Sequence, residues 1–123
     1  MNNQEIFNKV ATHLLTQSDK ALDEKGDCMY RGLNGTSCAA GCLIPDELYE
    51  PEMENESILN LANDFPDVKA YLRMHRRDTL RLIDRLQNVH DAEPVEYWYV
   101  ALDATAADFD LNTEVLSKFA DYV

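Results

Sequence analysis

CMYRGLNGTSCAAGCLIPDE, residues 28–47, is the stretch whose reading decides the fold. It holds all three cysteines and three of the four glycines of the chain. Two short arms, Cys28 to Arg31 and Thr36 to Ala40, flank Gly32 to Gly35, and the Asn34-Gly35 pair supplies the positive φ angles of a tight reversal. This reads as a small antiparallel β-hairpin. Gly41 suits a close backbone approach. Pro45, Asp46 and Glu47 suit the first turn of a short helix.

Outward from this stretch the pattern is helical. Ile6, Phe7, Val10, Ala11, Leu14 and Leu15 fall on one face of a helix over residues 3–17, with Asn2 or Asn3 as its cap. Thr16 to Asp27 is polar and turn-like, Pro51 to Asn55 reads as a loop, and Ser57 to Asn63 as a short helix. Residues 66–90 read as one long helix. Its stripe is Val68, Leu72, His75, Thr79, Leu82, Leu86 and Val89, broadened by Tyr71, Leu80 and Ile83. Val95, Trp98, Tyr99, Leu102, Ala106 and Phe109 form another helical face, and a last helix begins at Asn112. The expected architecture is a single domain over 1–123, α+β and mostly α. Four to five helices enclose the apolar face of the hairpin, with Tyr30, Leu43, Ile44, Trp98 and Phe109 in the core.

The net charge of −12 disfavours general binding to nucleic acid or to anionic lipid. No apolar run is long enough to span a membrane, and the N-terminal residues do not resemble a signal peptide, so the expected compartment is the cytoplasm. Three cysteines fit a reducing compartment better than a disulfide framework.

Charge is unevenly distributed. From Gly32 to Val68 there is no lysine or arginine, while Asp46, Glu47, Glu50, Glu52, Glu54 and Glu56 make a candidate acidic surface. The 66–90 segment carries Lys69 and five arginines, with Arg73, Arg76 and Arg77 as a candidate basic face. Packing of that segment between the acidic blocks 46–67 and 91–110 is the expected arrangement, because those blocks have no cations of their own.

Cys28, Cys38, Cys42 and His90 are the residues from which a zinc site would be built, zinc preferring thiolate and imidazole. Their spacing matches no zinc knuckle, and buried free thiols are the expected state. Cys38 beside His75 or His90, with Asp91, is a conceivable nucleophilic set without a local signature. Phosphate-loop, metalloprotease, serine-elbow and calcium-loop patterns are absent from the sequence.

Taken with their spacing, Cys28-x-Tyr30-Arg31-Gly32 and Gly35-x-x-Cys38-Ala39-x-Gly41-Cys42-Leu43-Ile44-Pro45-Asp46-Glu47-x-Tyr49 resemble a family of small bacteriophage and prophage proteins of unassigned activity. Leu86-Gln87-x-x-His90-Asp91 looks like a further segment of it, and the likeness covers residues 5–99. It implies a phage or mobile-element product working in bacterial cytoplasm, and brings no catalytic residues with it. The expected function is a non-enzymatic accessory protein, without cofactor, that binds and modulates a host protein. A DNA-mimic inhibitor and a small zinc or thiol protein are the alternatives.

Overall fold

Helix α1, Asn3–Gln17, forms where the periodicity places it, and Ile6, Phe7, Val10, Ala11, Leu14 and Leu15 are its buried face. Asn2 accepts the Glu5 backbone N–H while the Glu5 carboxylate accepts the Asn2 N–H, a reciprocal cap that satisfies two otherwise orphaned donors. The computed structural model describes residues 1–122.

The central stretch is not a hairpin, and the α+β expectation is corrected to an all-helical fold. Asn34 and Gly35 do adopt positive φ, at 62° and 74°, so the reversal itself is present. What fails is the ladder. Only isolated bridges form, Arg31 with Ser37 and Leu22 with Cys28. The arms exchange only two bonds, from the Gly32 N–H to the Thr36 carbonyl and from the Cys38 N–H to that of Tyr30, while the Glu54 carboxylate takes the Tyr30 N–H at 2.7 Å and the outward Arg31 N–H at 3.2 Å. The second arm turns into helix α2, Ala39–Leu43. Cys38 is its cap, with Sγ accepting the Gly41 N–H at 3.2 Å. Ala39-Ala40 favours helix over strand at the point where a hairpin needs β-branched residues. Gly41 has the close approach its type suggested, since a Cβ there would overlap the Tyr30 carbonyl oxygen.

Helix α3, Ile58–Asp64, is capped by Ser57, whose hydroxyl accepts the Asn60 N–H. The long helix expected over 66–90 is two: α4, Pro66–Tyr71, and α5, Arg77–Ala92. Between them Arg73 takes φ 56°. The Met74 N–H reaches the Lys69 carbonyl and the Arg73 N–H that of Ala70, the two bonds of a Schellman ending. Buried Met74 fixes the turn, and His75 points outward instead of continuing the stripe.

A 3₁₀ turn, Val95–Tyr97, leads into α6, Trp98–Asp108, and a kinked 3₁₀ segment, Glu114–Tyr122, closes the chain. Helix α1 packs on α2, α5, α6 and the closing segment, so it is the spine of the core. Tyr30, Leu43, Ile44 and Trp98 are buried as expected, and Phe109 is partly buried against them.

Glu54 joins the 51–57 loop to the central stretch, and Tyr49 also donates its hydroxyl to this carboxylate, at 2.6 Å. Glu54→Ala strands two backbone donors in partly buried surroundings. It should lower unfolding free energy by about 2–4 kcal/mol. The exposed neighbour Glu52→Ala should change it by less than about 0.5 kcal/mol. Urea titration followed by circular dichroism distinguishes the two, and a hairpin held by its own ladder would leave both variants alike.

Candidate functional site

His90 stands on the last turns of α5 with its side chain 0% exposed. Its Nε2 accepts the Ala21 backbone N–H at 3.0 Å. A backbone N–H can only donate, so Nε2 carries no proton and Nδ1 does. Nδ1 then donates to Asp91 Oδ1 at 2.7 Å. The ring lies beside Trp98, 5.6 Å between centroids, and Trp98 Nε1 donates to the Glu93 carbonyl. Both ring nitrogens are therefore committed, one to the loop after α1 and one to the neighbouring carboxylate.

Cys28 completes a cluster with this pair: its Sγ, a His90 nitrogen and an Asp91 oxygen lie within 4.8 Å of one another. Burial pushes the Cys28 thiol up, and the Asp91 carboxylate beside it pushes it further. Burial also tends to raise Asp91, but hydrogen bonds from His90, Gln87 and Cys28 outweigh it and hold the carboxyl below the usual range. The resulting set is thiol, neutral imidazole and carboxylate. A metal ion on Nδ1 would need that nitrogen bare and Nε2 protonated, which turns one N–H against another at Ala21. The donor set fits a structural clamp better than a metal centre.

Sequence spacing grouped Cys28, Cys38, Cys42 and His90. Among the described residues the structure brings Cys28 to His90 and leaves Cys38 and Cys42 outside the cluster. Cys38 is fully buried and its thiol is raised to about 12 by burial. Cys42 donates to the Ala39 carbonyl and is likewise raised by burial to about 12. Neither resembles the depressed thiol of a nucleophile. His13 is also committed, with Nε2 3.0 Å from Ser37 Oγ and 2.8 Å from its carbonyl.

A groove of about 520 Å³ runs past Lys9, His13, Arg31, Ser37, Cys42 and Asp46. Its guanidinium is spoken for: Arg31 pairs with Asp46 at 2.9 Å, donates to the Ile44 carbonyl and stacks 4.2 Å over Tyr49. The candidate acidic surface loses its middle for the same reason. Glu54 is turned inward, Glu56 is half-buried, and Asp46, Glu47, Glu50 and Glu52 remain exposed.

The expectation that the arginines pack between acidic blocks is corrected in part. Arg85 does pair with Asp108 of α6, at 2.9 Å. Arg73, Arg76, Arg77 and Arg81 are exposed, and among the described residues none has a carboxylate within 4.0 Å. The Schellman turn carries the first three away from the acidic segments.

Sequence reasoning missed the outer face shared by α6 and the 3₁₀ turn before it. Tyr97 and Val100 are 56% and 57% exposed, and Ala104 and Ala107 continue the same side at helical spacing. Exposed Glu96, Asp103 and Asp108 border it. The signal was available: α6 is apolar on nearly every side, more than one buried face requires.

Two outcomes check the cluster. Purified protein should carry under about a tenth of an equivalent of zinc by elemental analysis, and added zinc should not raise its melting temperature. Cys28 should react slowly with a thiol reagent at pH 7 and faster above its ordinary range, Cys42 on the groove should be slow at pH 7 for the same reason, and Cys38 should react only on unfolding. Stoichiometric zinc, or a fast thiol at neutral pH, would overturn the clamp. Comparison with protein-family models, with curated proteins and with solved structures finds no match for this chain.

Proposed function

We propose that this protein is a non-catalytic binding module that docks on another protein. By the phage resemblance its partner is a host protein in the bacterial cytoplasm. The observation that carries the reading is the α6 face: an aromatic and a β-branched side chain, both more than half exposed, in register with two alanines and rimmed by carboxylates. Contiguous apolar surface with a polar border is how docking sites present themselves. Tyrosine is among the residues that anchor such interfaces. The acidic rim and the −12 charge specify the partner's chemistry, an apolar surface with basic residues around it.

The interior supports the same reading. Of the titratable groups that spacing offered for catalysis, His90, Cys38 and Cys42 are bonded within the fold, and His75 is exposed and outside the Cys28–His90–Asp91 cluster. The DNA-mimic reading draws less from the structure, because Glu54 is withdrawn from the acidic row and four unpaired arginines interrupt the negative surface.

Tyr97→Asp with Val100→Asp keeps α6 helical and replaces only exposed atoms, so stability should shift by less than about 1 kcal/mol. Affinity capture from bacterial lysate should recover a salt-sensitive protein partner with the natural chain and lose it with this double variant. Recovery of the same proteins by both chains would sink the proposal.

A further inference from the structure

Independently of the α6 face, we propose that Arg73, Arg76, Arg77 and Arg81 form a docking surface for an acidic segment of a partner protein. All four side chains are exposed. The ion pairs of the described residues lie elsewhere: Arg31 with Asp46, Arg85 with Asp108, and His90 with Asp91. Asp78, the acid on the same turn, is engaged by Asn3 Nδ2 at 3.1 Å and by the Thr79 N–H at 3.0 Å. Arg81 shares a groove with Asp78, Asp84, Asp108 and Asp110 without an ion pair to any of them, and Arg73, Arg76 and Arg77 lie outside that groove, so the four guanidinium groups within nine residues are left unpaired by the described residues.

Folding gains little from them. Arg73 holds φ 56°, a conformation that glycine adopts freely and other residues do not. Arg76 occupies the N-cap of α5 without a side-chain cap, and Arg77 follows at the first helical position. Both place positive charge at the positive end of the helix dipole. By contrast α1, α2 and α3 are each capped by a side chain. A cluster that opposes local preference at three positions is conspicuous in a chain with 23 acids and 11 lysines and arginines.

The chemistry selects the partner. Arginine presents a planar fork that binds a carboxylate through two parallel hydrogen bonds. A nucleic acid duplex carries a charge about every 1.7 Å along an extended axis. Removing the four arginine charges from −12 leaves −16 on the rest of the chain, which would face the flanks of any duplex laid on the corner. A short acidic peptide segment ends within the patch and meets no such repulsion.

The test uses fluorescein-labelled decaglutamate and a labelled 20-base-pair duplex as probes, read by anisotropy against the full chain. The peptide should bind saturably at low salt, and Arg76→Glu with Arg77→Glu should weaken it at least tenfold. Arg73→Gly should weaken it several-fold while raising the melting temperature by about 2–5 °C, because the left-handed strain is relieved. Weaker binding by a more stable protein separates loss of the surface from loss of the fold. Absence of peptide binding, or equal binding by natural chain and variants, overturns the proposal. Tighter binding of the duplex, lost in the same variants, overturns it in favour of nucleic acid.

Discussion

One carboxylate inside the molecule governs the arrangement of the rest. Glu54 accepts two successive backbone donors, from Tyr30 and Arg31, together with the Tyr49 hydroxyl. Residues 18–38 have no helix of their own beyond one 3₁₀ turn and no ladder, so each buried N–H there needs a partner of another kind. Backbone carbonyls of the stretch take some, as Tyr30 does for Cys38 and Ala21 for Met29, and side chains take others: Glu54 from the acidic loop for Tyr30 and Arg31, His90 from α5 for Ala21, and Gln17 from α1 for Ser37. Polar side chains of three different segments do much of the work a second strand would have done.

That constraint explains why the chemically suggestive residues are spent on structure. A histidine that must accept a backbone N–H has one tautomer and no free nitrogen. Its proton goes to Asp91, whose carboxylate also receives the Gln87 amide. Tyr30 donates its hydroxyl to the Glu56 carbonyl, and burial together with the negative groups around it raises its phenol. The described residues leave no buried side-chain nitrogen or oxygen without a partner. An interior this well satisfied is held in place by its polar groups, and what remains for recognition lies outside.

Helices with strong periodicity were legible in the sequence: α1 with its Asn2 cap, the Ser57 start of α3, the inward faces of α5 and α6. The two misreadings share a cause. At Asn34-Gly35 the local turn chemistry is right, but the pairing stops after two bonds, where the second arm enters α2 and the Tyr30 N–H goes to Glu54, some twenty residues away in sequence. At 72–76 the apolar stripe runs through the break because Leu72 and Thr79 are both inward, so periodicity alone sees no interruption. An arginine in a left-handed ending carries none of the signal that a glycine would. For the site, spacing named Cys28 and His90 only as two of the four residues of an alternative zinc set, and the fold brings those two together without Cys38 and Cys42. Asp91 as the proton acceptor and Ala21 as the donor that fixes the tautomer are tertiary facts.

The same logic orders the surface. Exposed ion pairs contribute at most about 1 kcal/mol each, so a chain selected only to fold gains little by arranging them. Here Arg31 and Arg85 pair across elements, to Asp46 and Asp108, while the arginines of the 73–81 region form no ion pair with a described carboxylate. Moving Arg73, Arg76 and Arg77 into the acidic blocks would reduce self-repulsion in a protein of charge −12, and the Schellman turn prevents it. Electrostatic cost is therefore retained at one corner and along one apolar, acid-rimmed helix. Surfaces of opposite sign on one small body favour contacts of opposite sign.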